Sequence, residues 1–121
     1  MKMTVIVKKV DEIPWIIPPM PGAKKVFYKV LLGGPENVPN FIMRIFKIEP
    51  NGEIPIHQHD WEHEIYVLQG RGKVIWIENN EQKEVILEPN MCCYVPPNLK
   101  HGFKNIGEED WIFLCLIPRR D

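Results

Sequence analysis

The sequence predicts an all-β domain, and three observations support that fold class. Short runs rich in β-branched and aromatic residues alternate with clusters of glycine, proline and asparagine. No window of useful length shows the apolar period of an α-helix, and the chain contains 12 prolines. Closely spaced strands joined by such turns are typical of an antiparallel sandwich or barrel.

Nine strands are predicted from these runs. The clearest turn signals between them are Gly33-Gly34-Pro35, Pro50-Asn51-Gly52, Gln69-Gly70-Arg71-Gly72 and Asn79-Asn80. In chain order the predicted strands are Thr4–Val10, Lys24–Leu32, Asn40–Glu49, Ile54–His59, Glu64–Leu68, Lys73–Glu78, Lys83–Leu87, Cys92–Val95 and Trp111–Ile117.

Residues 1–22 form a separate feature within the single predicted domain, 1–121. The segment Ile13–Gly22 carries four prolines between apolar residues, so we expect it to run extended across the domain surface. Its residues Trp15–Ile17 then need cover from the domain or from a second subunit. Together with a terminal strand at Thr4–Val7, this arm is the predicted contact of a homodimer.

Composition excludes several classes of protein. With 15 basic and 16 acidic residues the net charge is −1, which gives no general attraction to nucleic acid or to an anionic membrane. The apolar run at the N-terminus is too short for a signal peptide or a membrane span. Cys92, Cys93 and Cys115 make a poor disulfide framework and suit a reducing compartment, so a cytoplasmic location is expected.

All four histidines belong to one pattern. His57, His59 and His63 fall within seven residues, and His101 follows a second turn that contains Pro96-Pro97-Asn98. Imidazole suits first-row metals such as Mn, Fe, Co, Ni, Cu or Zn, whereas calcium and magnesium prefer oxygen ligands. The pattern therefore predicts a site for one divalent transition metal, with positions left open for water, dioxygen or a substrate.

Strand alternation supports this grouping. His57, His59 and His63 have the same parity, and Glu62 and Glu64 have the opposite one, so an unbroken strand directs the imidazoles inward. A turn at Asp60-Trp61 would reset that register, so parity supports the grouping without deciding it, and Glu64 is the alternative ligand to His63 if the register is shifted by one. Since ligation occupies every histidine, a general base would have to be a metal-bound hydroxide, a substrate anion, Glu62 or Glu64.

These residues resemble the first motif of the cupin superfamily. That motif consists of a glycine, a His-x-His pair, a glutamate and a second glycine, and Gly52, His57, His59 and Gly70 match it. His63 occupies the slot in which most cupins have glutamate. The usual set of three histidines and one glutamate thus becomes four histidines.

The segment around His101 resembles the second cupin motif. Asn90, Pro96, Asn98, His101 and Asn105 stand at its spacings. Two asparagines replace the family's glycines, and asparagine is the residue that best tolerates the left-handed backbone in their place.

The resemblance extends over nearly the whole chain, to the small manganese-type single-domain cupins with four-histidine sites. It rests further on Pro39–Arg44, Asp60–Leu68, His101–Phe103 and Phe113–Pro118. It implies a cupin barrel (a double-stranded β-helix or jelly roll), a homodimer, and one metal ion, manganese first, with Fe, Ni, Cu or Zn as alternatives.

Candidate substrate-binding residues follow from parity and position. In Phe41–Glu49 the even residues face inward, so Arg44 is either a cation that anchors a carboxylate or enolate, or an ion-paired surface residue. Phe103, Phe113 and Cys115 are expected to line an apolar cavity near the metal, with ordinary core packing as the alternative for each. Trp61 and Tyr66 are either pocket residues or packed in the core or at a dimer contact, and packing is the favoured interpretation.

Three functions remain open at this point. The first is a metal-dependent oxidoreductase of the cupin dioxygenase type that acts on a small organic substrate. The second is a metal-dependent isomerase or lyase, and the third is a non-enzymatic module that binds a small molecule. The sequence assigns no catalytic residue beyond the metal ligands, because one fold hosts many chemistries.

Overall fold

A computed structural model describes residues 3–120 of the chain and confirms the all-β fold class. A 3-10 turn at Val10–Glu12 precedes the strands. No helix in the described part of the chain is long and apolar enough to cross a membrane. The eight strands are β1 (Lys24–Leu32), β2 (Phe41–His57), β3 (His63–Gln69), β4 (Gly72–Glu78), β5 (Glu81–Leu87), β6 (Cys92–Val95), β7 (His101–Asn105) and β8 (Trp111–Pro118).

The strands form one antiparallel sheet that curls into a nearly closed barrel. Its order is β5-β4-β7-β2-β8-β3-β6, and β1 adds to β2. Strand β2 holds the two halves together, because its residues 41–48 pair with β8 and its residues 53–57 pair with β7. The sheet therefore bends at the predicted Pro50-Asn51-Gly52 turn, where Asn51 has a φ of 70°.

The structure corrects three of the strand predictions. Thr4–Val10 is not a strand in the structure, because its backbone finds no neighbouring strand in residues 3–120. The predicted strands Asn40–Glu49 and Ile54–His59 merge into β2, which ends at His57. Strand β7 was not predicted, since five residues interrupted by Gly102 carry too weak a pattern.

The core lies inside the barrel, and each of the eight strands contributes at least one buried apolar residue to it. Along β8 the burial alternates strictly, which turns Trp111, Phe113, Cys115 and Ile117 inward. On β2 the even-numbered face is buried as predicted, and it brings Phe46 against Phe113 with ring centroids 5.5 Å apart.

The proline-rich arm runs over the outside of β1. Ile16 forms a β-bridge with Tyr28, and the Trp15 ring lies between the ammonium groups of Lys29 and Lys47, at 4.6 and 4.7 Å. The domain thus covers Trp15, whereas Ile17 stays exposed. The homodimer contact through this arm and the terminal segment stays a prediction.

Candidate metal centre

Four imidazoles meet at one end of the barrel. His57 is the last residue of β2 and His101 the first of β7, and the two are paired across that ladder. His63 begins β3, and His59 lies in the connection between β2 and β3. Neighbouring ring centroids are 4.5 to 5.2 Å apart. The strand is broken as anticipated, yet Glu62 and Glu64 are both exposed, on the side away from the rings.

A left-handed asparagine ties the two histidine segments together. Asn98 has a φ of 66°, and its backbone N–H donates to the His59 carbonyl over 2.7 Å. Asn90 has a φ of 71°. Both asparagines therefore adopt the backbone conformation expected of them, and the turn before His101 is anchored to the loop that carries His59.

Backbone carbonyls orient three of the rings. The Nδ1 atoms of His57, His59 and His101 lie 2.9, 3.0 and 2.8 Å from the carbonyl oxygens of Pro55, Trp61 and Leu99. Because a carbonyl only accepts, each Nδ1 carries a proton and donates it. In the neutral ring the proton is then absent from Nε2, which keeps a free lone pair.

The fourth ring, His63, is held differently. Its Nδ1 lies 3.0 Å from Cys115 Sγ, and the same sulfur accepts a hydrogen bond from the Arg44 guanidinium over 3.1 Å. Its Nε2 lies 2.7 Å from Nε2 of His59. Because Nε2 of His59 keeps a lone pair, Nε2 of His63 either carries a proton and donates it to His59, or the two nitrogens share a cation.

Burial favours the neutral form of His59, His63 and His101. Removal from water lowers the pKa of His63 to about 2, and the positive charge of Arg44 acts in the same direction. Burial also lowers the pKa of His101 to about 4, against the opposing hydrogen bond to Leu99. The pKa of His59 is lowered for the same primary reason. Neutral imidazole is the form that ligates metals.

The donor set fits a transition metal. One ligand atom each of His57, His59 and His101 lie within 4.8 Å of one another. Nε2 of His101 is buried and has no hydrogen-bond partner among the described residues, which is costly unless an ion or water satisfies it. Three neutral nitrogens, with His63 beside them, suit a borderline divalent ion and not calcium or magnesium.

A cavity of about 550 Å³ opens beside the rings. Its wall includes His57, His59 and His63, while the deeper His101 is fully buried. Apolar side chains from the arm and from β1 and β2 make up much of the rest, with two arginines. These other wall residues include Pro18, Pro19, Met20, Pro21, Tyr28, Val30, Ile42, Arg44, Ile54, Trp61, Ile117 and Arg120.

The cavity is positively charged although the chain is not. No aspartate or glutamate of the described part of the chain lines it, whereas Arg44 and Arg120 do. Arg44 is only 8% exposed and makes no ion pair with a described residue. Its neighbours are Cys115 Sγ and the face of Phe46, 4.9 Å away, and its Nε has no partner. A buried cation without a counter-ion is costly, and an anionic ligand would relieve that cost.

Of the four predicted substrate-binding residues, one lines the cavity and three lie in the core. Arg44 reaches the cavity wall. Phe103, Phe113 and Cys115 belong to the buried core cluster, one layer behind the rings: Phe103 packs edge-on against His101 at 5.6 Å, and Cys115 contacts His63. Their predicted roles in substrate binding stay predictions.

Trp61 packs against the core, the interpretation favoured from the sequence, and it also lines the cavity, which was the alternative. Two other parts of the wall were not predicted from the sequence. Pro18–Pro21 and Arg120 lie far from the histidines in the chain and carry no motif, so only the fold reveals them. Tyr66 lies on the outer face, where its hydroxyl donates to Asn90 over 2.8 Å.

The protein is thus a small, nearly closed β-barrel with four imidazoles clustered at one end. The model of a family described as a cupin domain matches residues 44–117, more than half of the chain. The chain belongs to this cupin family.

Three relatives illustrate the range of the likeness. The polyketide cyclase RemF from Streptomyces resistomycificus is 31% identical with a TM-score of 0.81, over 93% of this chain and 80% of RemF. A predicted oxalate decarboxylase from Thermotoga maritima is 27% identical with a TM-score of 0.76, over 95% of this chain and 100% of that one. The glucose-6-phosphate isomerase of Pyrococcus furiosus is 39% identical over 57 residues, which are 46% of this chain and 30% of the isomerase.

Proposed function

We propose that the protein is a metal-dependent cupin enzyme that acts on a small organic anion. His57, His59, His63 and His101 hold one divalent transition metal. Manganese is the first candidate, with Fe, Ni, Cu or Zn as alternatives. Arg44 binds an anionic oxygen of the substrate inside the cavity.

One observation carries the metal assignment. Three Nδ1–H groups donate to backbone carbonyls, so three Nε2 lone pairs are free, and one ligand atom of each of these rings lies within 4.8 Å of the others. Such hydrogen bonds fix the tautomer and ring orientation of metal-ligating histidines. The 2.7 Å approach of Nε2 in His63 to Nε2 in His59 supports the fourth ligand.

The ion, Arg44 and the apolar wall have different roles in the proposed site. A bound divalent ion supplies Lewis-acid polarisation of a substrate oxygen. Arg44 orients an anionic group and stabilises negative charge that develops on it, because a guanidinium offers paired donors in one plane. The apolar wall excludes water, which strengthens both interactions.

Lewis-acid chemistry, an isomerase, lyase or cyclase type of reaction, is the reaction class we favour. It is supported by the relatives named a polyketide cyclase and a glucose-6-phosphate isomerase. Neither Glu62 nor Glu64 lines the cavity, so among residues 3–120 no carboxylate base reaches a substrate there. The dioxygenase-type oxidoreductase and the non-enzymatic binding module stay as predictions that the same experiments distinguish.

Metal analysis of protein purified without added metal tests the site. We expect about one transition metal ion per chain in the wild type and a large loss in His57→Gln and His101→Gln. Cys92→Ser is the matched control, because Cys92 is an exposed thiol that could hold metal adventitiously. Full metal content in both histidine variants would contradict the proposed ligand set.

A reaction screen then tests the chemistry. Metal-loaded protein is given β-dicarbonyl acids, sugar phosphates and oxalate, with product detection and oxygen uptake recorded in parallel. Turnover without oxygen uptake supports the Lewis-acid class. Substrate-linked oxygen uptake would contradict it and favour the oxidoreductase, and binding without turnover would favour the binding module.

A further inference from the structure

Arg120 is held in an unusual position at the mouth of the cavity. Its guanidinium lies over the Trp61 ring, 3.5 Å from the centroid, and the opposite face of Trp61 stacks on His59 at 4.0 Å with an interplanar angle of 7°. Stacking fixes the plane of a guanidinium, yet leaves its N–H donors free around the edge. Arg120 is thereby arranged to receive a planar anion.

No ion pair accounts for this arginine within residues 3–120. Every salt bridge among those residues involves other cations, although Arg120 is exposed and lines the cavity. Arg44 lies at the buried floor of the same cavity, also without a carboxylate. Two guanidinium groups that form no ion pair with a described residue therefore face one space at different depths.

The wall between the two depths is mainly apolar. Met20, Val30, Ile42, Ile54 and Ile117 contribute to it. A ligand that satisfies both arginines must pass this wall, where a polar chain would lose its hydration without gaining partners. The geometry calls for an anionic group at each end and an apolar middle.

We propose that Arg120 is a specificity-determining residue that binds a second, distal anionic group of the substrate. The substrate class is an organic dianion whose two anionic groups are separated by an apolar segment. This inference rests on the proposed function, since it extends the same site outward. Arg120 lies outside residues 44–117, so the cupin match itself does not include it.

Binding of matched carboxylates tests the proposal. Calorimetric titration of manganese-loaded and metal-free protein uses adipate, hexanoate and oxalate, which vary the second charge and the apolar segment separately. Wild type should bind adipate roughly tenfold tighter than hexanoate, the effect of one charge-assisted hydrogen-bonded contact. It should also bind adipate tighter than oxalate.

The variants separate stacking from charge. Arg120→Gln should lose roughly tenfold in adipate affinity and leave hexanoate unchanged, and Arg120→Lys should fall between, because lysine keeps the charge without the planar fork. Arg119→Gln is the control: it removes the same charge one residue away, where the side chain donates to the Val38 carbonyl and does not line this cavity.

Two results would overturn the inference. One is equal or undetectable binding of adipate and hexanoate by wild type. The other is an equal effect of Arg120→Gln and Arg119→Gln on adipate. Metal content, measured on the same samples, reports separately on the proposed function. A chain without metal that still prefers adipate, and loses that preference in Arg120→Gln, would retain this proposal and reject the other.

Discussion

The two ends of the barrel interior are built on the same strands and differ in what they hold. At one end, here called the packed end, Phe46, Phe103, Trp111 and Phe113 fill the space, with ring centroids 4.9 to 6.4 Å apart. At the other, the cavity end, the four imidazoles and Arg44 surround an open volume. Strands β2, β7 and β8 run through both.

The difference shows how a barrel combines stability with a site. Strand alternation decides which residues point inward, and it is the same along the whole of β8. The chemistry of that inward row then changes, from Trp111 and Phe113 to Cys115, which contacts His63 and Arg44. The packed end supplies folding free energy, and the cavity end places polar groups where packing alone would exclude them.

The largest effect is expected at the packed end. Trp111 is fully buried and contacts both Phe103 and Phe113. Trp111→Ala should lower the free energy of unfolding of the metal-free protein by about 3–5 kcal/mol, because it removes buried surface and leaves a cavity. Urea denaturation measures this. Leu68→Ala, on the exposed outer face, is the control. A similar loss of unfolding free energy in both variants would contradict the proposal that the packed end supplies most of the folding free energy.

At the junction of the two ends, Cys115 should matter more to metal than to folding. Cys115→Val keeps an apolar side chain but removes the partner of His63 Nδ1, so metal affinity should fall roughly tenfold to hundredfold. Competition with a chelating dye measures this. Cys115→Ser retains a hydrogen-bonding group and should stay close to wild type. Unchanged affinity in the valine variant would exclude this role.

The cavity end should also make stability depend on pH. The unfolded chain protonates its histidines below their ordinary pKa of 6.5, whereas the folded pKa of His63 is about 2 and that of His101 about 4. The unfolded state thus binds more protons, and the unfolding free energy of the metal-free protein falls as pH drops from 6.5 to 4.

A variant isolates this contribution. His63→Gln removes one of the groups and should give a shallower loss of stability between pH 7 and pH 4.5, measured by urea denaturation. Carboxylates contribute equally to both proteins, so they cancel in the comparison. Identical pH profiles would show that His63 is already protonated when folded.

The smallest effect is expected at the turn before His101. Asn98 has a φ of 66°, so Asn98→Ala should cost about 1 kcal/mol, whereas Asn98→Gly should be nearly neutral. Thermal unfolding of the two variants measures the difference. An alanine variant as stable as the glycine variant would mean that the turn does not hold His101 by its backbone conformation.

The sequence predicted the local features well. Runs of alternating residues located most strands. Asn90 and Asn98 were recognised as left-handed because that conformation depends on the residue itself. These features are set within a few residues of the chain.

The features that depend on distant partners could not be predicted. Thr4–Val10 has the composition of a strand, yet pairing depends on a free edge in the right place. The cavity wall needs Arg120 to fold back over Trp61, and Pro18–Pro21 to cross beside β1, and neither contact leaves a local pattern. Parity predicted that Cys115 points inward, as it does, but parity gives the direction of a side chain and not its depth.

The origin of the cavity wall has a consequence for how this protein could change. All four histidines lie within residues 44–117, whereas Pro18–Pro21 and Arg120 come from the flanking segments. Flanking segments tolerate substitution more readily than the strands they cover. Exchanging these two segments with those of a relative should therefore transfer ligand preference while the metal site stays intact, which makes the flanks the natural target for redesign.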